Sequence, residues 1–435
     1  MSTVLFWFRN DLRLHDNPAF HAAYAQGNRH LLPVLCLPDV AQDGAWGFPR
    51  MGPHRRAWWA STIDDLRQSL EALGCPLLVC TEPPTVALPD LARAVGADTV
   101  ICEEIAAPEE QAEVDALRAA GLNLHAVWHS SLLDPARLPW PVEQLPAVFT
   151  SFRQAVEKAG LHPAPPLAAA TVLPPWPQGV PAHYQAGQDE ALAAFAGTGP
   201  AEDTRSAFPY RQPAWHGGEK AALAHLAQYL RRGLPTSYKR TRNGLIGTDY
   251  SSKWSPWLAT GALSPRQAMA QLRRFEAEQG ASDGSYWLWF ELLWRDYFRF
   301  LHLQHGRALY RAQGLGPRRK TPHDPARFDT WCAGKTGQPL VDAAMRELAA
   351  TGYLSNRLRQ MAASFLVHDL ACDWRAGAAW FEHQLIDYDV YSNQGNWLYI
   401  AGRGTDPRGG RRFNPEHQSA SYDPDRAYRR LWGTA

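Results

Sequence analysis

The sequence predicts a parallel α/β domain followed by an all-helical domain. Short apolar runs alternate with helical stretches over residues 1–130, which is typical of βαβ units. Residues 131–204 are rich in proline and alanine, and from about residue 218 onward apolar residues recur at helical spacing, often closed by glycine. A length of 435 residues favours two or three domains, in agreement with this division.

The first 130 residues contain five candidate strands and three candidate helices. The strands are VLFWF, LLPVLCL, PLLVC, DTVIC and LHAVW, and the helices cover residues 55–73, 86–95 and 109–120. Because parallel strands need crossover helices, we expect helices on both faces of the sheet. No GxGxxG motif follows a strand, so the usual dinucleotide-binding fingerprint is missing from this domain.

Residues 131–204 are predicted to connect the two domains along the surface. Their PAPP, LPPWPQGVP and GTGP stretches leave few periodic apolar runs. Residues 205–435 then form the all-α domain. Its helical runs are EKAALAHLAQYLRRG, SPRQAMAQLRRFEAEQG, YWLWFELLWRDYFRFLHLQHG, PLVDAAMRELAATG and SNRLRQMAASFLVHDLACDW.

The net charge of +1 conceals a division along the chain. Residues 1–130 carry 9 Lys and Arg against 16 Asp and Glu, and residues 131–204 carry 3 against 7. Residues 205–435 carry 32 against 20, an excess of +12. Scattered charge usually marks a solvated face, but so large an excess in one region predicts a polyanionic partner such as nucleic acid.

Cysteine spacing and the N-terminus indicate the compartment. The six cysteines form no CxxC pair and show no metal-ligand spacing, so reduced thiols and no metal site are expected. The N-terminus has no basic segment or cleavage site, and no apolar stretch approaches a membrane span. We therefore expect a soluble, cytoplasmic protein. A monomer is a separate expectation.

Two short motifs concentrate polar groups that suit a flavin. SNRLRQ at residues 355–360 and LIDYDVYSNQGNWLY at residues 385–399 supply arginine, aspartate and asparagine near a Trp/Tyr pair. A flavin offers acceptors along one edge with an N–H donor between them, so guanidinium and amide groups meet the first and carboxylates the second. An ordinary network of buried salt bridges is the alternative.

These motifs resemble the photolyase/cryptochrome family, and the resemblance extends nearly end to end. It is carried further by FWFRNDLRLHDNPAF at residues 6–20, DYSSKWSPWLATGALSPR at 249–266, ELLWRDYF at 291–298 and DWRAG at 373–377. SSKWSPWLA, Gln360 and Tyr399 are similar to the cryptochrome-DASH branch. The resemblance implies a photolyase-like fold, in which the all-α C-terminal domain binds FAD.

The resemblance also implies how FAD is held. It places the diphosphate at SSKWS, Arg359 paired with Asp387 beside the isoalloxazine, Asp389 at the polar edge of the ring and Asn393 opposite N5. Simple N-capping is the alternative at SSKWS, against phosphate capture by a helix start. The implied cofactor-binding residues are Tyr238, Ser251, Ser252, Lys253, Trp254, Ser255, Glu291, Arg295, Asn356, Arg359, Asp387, Asp389 and Asn393.

The implied catalytic residues are Glu291, Asn356, Asn393, Trp397 and Trp374. The two tryptophans match the first members of the chain that delivers an electron to photoexcited flavin. The third is missing, because RRKTPHDP at residues 318–325 contains no tryptophan, and Trp380 or Trp331 are the available substitutes. An i,i+4 ion pair between Glu291 and Arg295 is the structural alternative for that part of the helix.

The implied DNA-binding residues combine arginines with aromatic side chains. Trp294 would stack in the dimer pocket, and the arginines would contact phosphates beside a flipped base. A flexible Gly/Arg loop is the alternative at residues 402–410. The residues are Arg242, Trp294, Arg357, Gln360, Tyr399, Arg403, Arg408, Arg411 and Arg412.

A folate antenna is implied at one position of the first domain. Glu109 matches the carboxylate that holds methenyltetrahydrofolate in relatives. An acidic helix start is the alternative, because carboxylates favour that end of the helix dipole.

The function implied is repair of cyclobutane pyrimidine dimers by reduced FADH⁻ in blue or near-UV light. UV-damaged DNA that is single-stranded or looped is the expected substrate, since Gln360 and Tyr399 suggest a pocket less able to offset base flipping from duplex. The alternatives are a signalling cryptochrome without repair activity and a light-independent nucleic-acid binder. Signalling relatives often carry a long C-terminal extension, and this sequence ends three residues after Trp432, which favours the enzyme.

Overall fold

A five-stranded parallel sheet organises the first part of the chain in the computed structural model, which describes residues 2–25, 30–40, 43–317 and 321–433. The strand order is β3-β2-β1-β4-β5, so that β1 is central. All six residues of β1 are buried, because helices cover both faces of the sheet. The strands are β1 (Thr3–Phe8), β2 (His30–Cys36), β3 (Leu78–Cys80), β4 (Thr99–Glu103) and β5 (Leu124–Val127).

Four helices accompany the sheet in the described part of this domain. The predicted strands and the three predicted helices are present, and α1 is an addition that the sequence did not reveal. Proline occupies the first turn of α2, α3 and α4, where its missing N–H costs no hydrogen bond. The helices are α1 (Pro18–Ala25), α2 (Pro53–Ala72), α3 (Pro84–Val95) and α4 (Pro108–Ala119).

Residues 131–204 contain more regular structure than their composition suggests. Helix α5 is amphipathic and buries Phe149, Phe152 and Val156, partly against the later helix at Asp283–His305. Proline-rich flanks obscured this short periodic run. The helices of this segment are α5 (Phe149–Lys158), α6 (Ala182–Gln185) and α7 (Gln188–Ala196).

The remainder is all-helical, as predicted, and the predicted fold class is confirmed. No helix among the described residues is both long and apolar enough to cross a membrane. The helices are α8 (Glu219–Arg231), α9 (Tyr238–Thr241), α10 (Ser255–Ala259), α11 (Pro265–Gln279), α12 (Asp283–His305), α13 (Pro325–Cys332), α14 (Pro339–Thr351), α15 (Asn356–His368), α16 (Trp374–Gln384), α17 (Val390–Ala401), α18 (Pro415–Tyr422) and α19 (Ala427–Trp432).

The run SNRLRQMAASFLVHDLACDW is not helical throughout, because α15 ends at His368 and α16 begins only at Trp374. Ala371 has a positive φ of 53°, and the Cys372 N–H donates back to the Leu366 carbonyl at 3.0 Å. The Asp373 side chain then accepts from the Arg375 N–H at 2.9 Å and caps α16. This turn places Trp374 at the first position of a new helix.

A buried polar cluster joins the two domains at Asp16. This carboxylate, 0% exposed, accepts two hydrogen bonds from Arg266 on α11, at 2.6 and 3.0 Å. It also accepts from the Ser264 hydroxyl and, at 2.9 Å, from the Leu167 N–H. Asp16 therefore ties the segment between β1 and α1, residues 131–204 and the helical domain together.

Replacing Asp16 with asparagine is expected to lower the free energy of unfolding by about 3 kcal/mol, because it leaves the half-buried Arg266 guanidinium without its anionic partner. Chemical denaturation followed by circular dichroism measures the change. Glu278→Gln is the matched control, since Glu278 and Arg274 form an exposed pair at 3.2 Å. That change should stay within about 0.5 kcal/mol of the parent protein. Equal effects in both variants would contradict the role given to Asp16.

Candidate functional site

A deep cleft in the helical domain collects most of the residues predicted to bind cofactor and DNA. It encloses about 1700 Å³, part of it open to solvent, between α9, α12, α15, α17 and the segment before α10. The predicted residues that line it are Tyr238, Arg242, Ser251, Ser252, Lys253, Trp254, Ser255, Glu291, Trp294, Arg295, Asn356, Arg357, Arg359, Gln360, Asp387, Asp389 and Tyr399. One cavity thus joins sequence motifs from across the whole helical domain.

Arg359 and Asp387 form an ion pair on the wall of the cleft. The Arg359 Nη2 donates to Asp387 at 2.8 Å, and its Nε donates to the Leu354 carbonyl at 2.7 Å. Burial alone would lower the pKa of Arg359, but the Asp387 carboxylate outweighs it and raises that pKa. The second Asp387 oxygen, Oδ1, is buried and has no hydrogen-bond partner among the described residues. Asp387 can therefore accept one further N–H donor from a ligand.

Asp389 is paired with an arginine that the sequence reading missed. Arg299 on α12, 2% exposed, donates to Asp389 at 2.5 and 3.4 Å, and the Ser392 N–H donates to the same carboxylate at 2.7 Å. Burial would raise the pKa of Asp389, but Arg299 and Arg295 lower it well below its ordinary value. The sequence did contain a signal for Arg299, because it lies four residues after Arg295 and therefore on the same helix face.

Arg295 is fixed by backbone carbonyls. Its guanidinium donates to Ser130 at 2.5 Å and to Leu258 at 3.2 Å. Burial, with the nearby Arg299 charge, lowers the pKa of Arg295 to about 9. Glu291 forms its ion pair with Arg242, which directly follows α9, and not with Arg295.

Lys253 supplies a buried positive charge on the cleft wall. The residue is 2% exposed, has a positive φ of 58°, and its Nζ has no hydrogen-bond partner among the described residues. The ammonium lies over the Tyr250 ring at 3.4 Å and the Tyr353 ring at 4.8 Å. Burial lowers the pKa of Lys253 well below its ordinary value of 10.5. An unpaired buried cation of this kind fits an anionic ligand group such as a diphosphate.

The helix start beside Lys253 contributes less than the sequence suggested. Helix α10 has only five residues, its cap is Trp254, and no side chain caps it. N-capping by the serines is therefore not observed, and so short a helix provides little dipole. The electrostatic attraction at SSKWS comes from Lys253 instead.

Asn393 and Trp397 lie in a smaller cavity of about 510 Å³ that adjoins the cleft. Seven residues line both cavities, among them Asn356, Asp387 and Asp389. The Asn393 amide donates to the Ala378 carbonyl at 3.0 Å, which fixes its oxygen and nitrogen. Asn393 thus presents an amide, not an acid, beside the two aspartates.

Ring contacts connect Trp397 to Trp331. Trp397, 2% exposed, meets Phe381 at 5.1 Å and Trp331 edge-on at 6.4 Å between ring centroids. Trp374 is also buried and donates its indole N–H to the Ala312 carbonyl at 3.0 Å.

The aromatic contacts continue from Trp331 toward the surface. Trp331 stacks on Phe328 at 6.0 Å, Phe328 on Phe48 at 6.4 Å, and Phe48 meets the half-buried Trp380 at 5.2 Å. Both substitutes named from the sequence therefore lie on one aromatic path. In the segment 318–325, residues 318–320 lie outside the described residues.

Trp294 is supported by the connector. Its ring stacks on Phe149 of α5 with 3.8 Å between centroids and 12° between planes, and Tyr399 approaches it edge-on at 5.9 Å. The sequence reading missed Phe149 because it lies in a proline-rich segment. The ring that is predicted to stack on a base is thus held at a fixed angle.

The predicted phosphate contacts differ in how far acids neutralise them. Asp406 pairs with both Arg408 and Arg411, at 2.8 and 2.7 Å, and Asp369 pairs with Arg412 at 2.6 Å. Arg411 also donates to the Tyr399 hydroxyl at 2.8 Å. Arg403 belongs to the same loop, between α17 and α18. Arg357 is different, because its described partner is the neutral Asn243, at 3.1 Å.

Glu109 lies outside the cleft, in the first turn of α4. It pairs with Arg50, which also binds Glu382 of the helical domain at 2.8 Å. The Glu109 side chain is 69% exposed. Its position fits the acidic helix start and adds a bridge between the domains.

Comparison with known proteins agrees with this geometry. Residues 4–170 match the family described as DNA photolyase, and residues 287–434 match the FAD binding domain of DNA photolyase. The chain is 41% identical to cryptochrome DASH of Xenopus laevis, over 99% of this chain and 82% of that protein. It is 42% identical to cryptochrome DASH of Synechocystis sp., over 99% and 87%.

Solved structures show the same relationship. A cryptochrome from Synechocystis sp. superposes with a TM-score of 0.91 at 40% identity, covering 99% of this chain and 88% of that one. A class III photolyase from Agrobacterium tumefaciens gives a TM-score of 0.78 at 29% identity, covering 99% and 86%. The chain therefore belongs to the photolyase/cryptochrome family, in which it resembles the cryptochrome DASH proteins.

Proposed function

We propose that this protein repairs cyclobutane pyrimidine dimers in single-stranded or looped DNA, using light and reduced FAD. The observation that carries the proposal is the composition of one cleft. Its wall holds Lys253 and the Arg359–Asp387 pair, and Glu291 and Trp294 line the same space. A cofactor and a flipped base can therefore lie side by side in one cavity.

The chain's own residues would hold the cofactor by charge and hydrogen bonding. Lys253 suits the diphosphate, and Arg359, Asp387 and Asp389 suit the polar edge of the flavin. When bound, reduced FAD supplies the light-driven electron that splits the cyclobutane ring. Asn393 would keep an acidic proton away from the ring, because an amide does not release one at neutral pH.

The DNA side of the cleft would receive the dimer. Trp294 and Tyr399 offer aromatic faces for stacking, and Glu291 offers a carboxyl group to the base edge. Asp406 neutralises part of the charge of two nearby arginines, so fewer cations remain to offset the cost of flipping a base out of duplex. This supports a preference for strands that are already unpaired.

Reduction of the bound flavin would use tryptophans that the cleft does not expose. We propose Trp397 and Trp374 as the first members of the chain. Trp331 and Trp380 would offer a second route, because ring contacts join them to Trp397.

A folate antenna, methenyltetrahydrofolate, forms part of the same proposal. The exposed Glu109 carboxylate would accept from the pterin ring while Arg50 holds it in place. Reconstitution with the folate should quench folate fluorescence through energy transfer to the flavin. Glu109→Gln should weaken folate binding, and unchanged binding would place the antenna elsewhere.

Illumination of the purified, FAD-loaded protein with dimer-containing oligo(dT) tests the function. Return of thymine absorbance in the light and not in the dark is expected, with a lower rate on duplex substrate. Glu291→Ala should lose most of the activity while keeping its flavin. Flavin photoreduction without any loss of dimers would support a signalling cryptochrome and overturn the repair proposal.

Salt dependence tests the phosphate contacts separately. Arg357→Ala should lower the slope of log affinity against log salt by roughly 0.7 for a single strand, because one fewer counterion is released. Arg408→Ala should change it less, since Asp406 already holds that cation. Arg274→Ala on α11, outside the cleft, is the control. An unchanged slope for Arg357→Ala would mean that the strand follows another path.

A further inference from the structure

Glu291 and Arg242 form an ion pair at the opening of the cleft. Arg242 directly follows α9, and its guanidinium lies over the Trp287 ring with 4.2 Å between Cζ and the ring centroid. Both side chains are partly exposed, 24% for Arg242 and 30% for Glu291. The pair therefore lies where a DNA strand and a flipped base would both arrive.

The two members of the pair suit different parts of a nucleotide. A guanidinium matches a phosphate in charge and geometry, whereas Glu291 lines the cavity of Trp294 and Tyr399, where a base would lie. A phosphate therefore competes with Glu291 for Arg242. The pair present in the free protein is one that substrate binding disturbs.

We propose that Arg242 controls the protonation of Glu291: when Arg242 captures a DNA phosphate, the released carboxylate takes up a proton from solvent and meets the flipped pyrimidine as a neutral acid. This inference rests on the proposed repair function. Arg242 acts as a positioning residue, and Glu291 is the group that touches substrate. No covalent bond changes in this step, and the proton returns to solvent when the product leaves.

A neutral carboxyl group fits the dimer better than a carboxylate does. It donates one hydrogen bond and accepts another, which matches the C4 carbonyl and the N3–H of a pyrimidine. A carboxylate only accepts, so it would leave the carbonyl unpaired. It would also repel the extra electron that the dimer carries while its ring opens.

The surrounding charges determine the direction of the pH dependence. Glu291 is faced by Tyr238 of α9 and by Arg242 just after that helix, while Arg295 of its own helix and Arg357 of α15 line the same cleft. Burial raises the pKa of Glu291 above its ordinary value of 4.5, and Arg242 opposes that rise. Departure of Arg242 removes the opposition, so the pKa is higher in the complex than in the free protein.

A higher pKa of Glu291 in the complex favours binding at low pH. Affinity for damaged DNA should be greatest at pH values below the pKa of Glu291 in the free protein. It should fall as the pH rises from that pKa toward the pKa in the complex, by up to about tenfold per pH unit. Above the second pKa the affinity should no longer depend on Glu291.

Calorimetry in the dark measures the proton directly. The FAD-loaded protein is titrated with dimer-containing oligo(dT) in two buffers of different ionisation enthalpy, and we expect uptake of up to about one proton per complex at neutral pH. The Glu291→Gln variant keeps the shape of the side chain but has no titratable group there, so it should take up no proton on binding. Arg242→Ala should take up fewer protons, because its Glu291 is already closer to neutral.

Lys239→Ala is the matched control. Lys239 is on α9, three residues before Arg242, and also lies over Trp287, at 5.8 Å, but it pairs with Asp283 at 2.9 Å. The Lys239→Ala variant should take up as many protons on binding as the parent protein does. Dimer-dependent binding without proton uptake by the parent protein would overturn this inference and leave the repair proposal standing. Uptake unchanged in Glu291→Gln would assign the proton to another group, and absence of dimer-dependent binding would overturn both proposals.

Discussion

Replacing Trp397 with phenylalanine is expected to abolish the light-driven reduction of bound flavin. The indole is 2% exposed and lines the small cavity that adjoins the cleft, so it is a buried ring close to the proposed flavin site. A phenyl ring is far harder to oxidise than an indole and cannot pass an electron on. Flavin absorbance under continuous light, with a thiol as the external reductant, measures the rate.

The same variant should keep its repair activity when the flavin is reduced chemically. Repair takes an electron from reduced FAD and returns it, so it does not need the tryptophans. Trp58→Phe is the control, because Trp58 is equally buried but belongs to the core beside the sheet. Equal loss of photoreduction and repair in Trp397→Phe would contradict the separation of these roles.

Much of the fold was predictable because each part carries a local signal. Buried strands of the sheet are continuous apolar runs, and the helices show their period over many residues. The break at Ala371 was not predictable, because the apolar spacing continues through it. The turn depends on Asp373 capping the next helix, which a periodic reading overlooks.

The candidate site was predictable where a motif brings its members close in sequence. The Arg359–Asp387 pair joins two such motifs. The pairs Arg242–Glu291 and Arg299–Asp389 depend on how elements distant in sequence pack. The i,i+4 spacing places Arg299 on the helix face of Arg295, but it does not reveal the partner Asp389. Arg242 has no such local pattern. Phe149 was hidden for the same reason, since only the folded chain brings α5 to Trp294.

Replacing Lys253 with methionine is expected to have opposite effects on the protein with and without FAD. Without FAD, the change removes a buried cation that has no hydrogen-bond partner in the described part of the chain, so the apoprotein should become more stable. With FAD, the change removes the partner proposed for the diphosphate. Affinity for FAD should fall by about 2–5 kcal/mol, or roughly 30-fold and more.

The stability of the apoprotein should also depend on pH through Lys253. Because its folded-state pKa lies below 10.5, the unfolded chain binds more protons between the two pKa values. Stability of the parent apoprotein is therefore lost as the pH falls below 10.5, and Lys253→Met should lose less of it. Thermal unfolding across this pH range, with and without added FAD, measures both effects.

Lys220→Met is the matched control, because Lys220 is an exposed lysine, 62% accessible, that pairs with Asp65 at 3.6 Å. It should change neither FAD affinity nor the pH dependence of the apoprotein. If Lys253→Met binds FAD as tightly as the parent protein does, the diphosphate must lie elsewhere in the cleft. The partner of the buried ammonium would then have to be another anion. A lysine that lies over two tyrosine rings, without an acceptor among the described residues, lowers the stability of a protein unless an anion binds beside it.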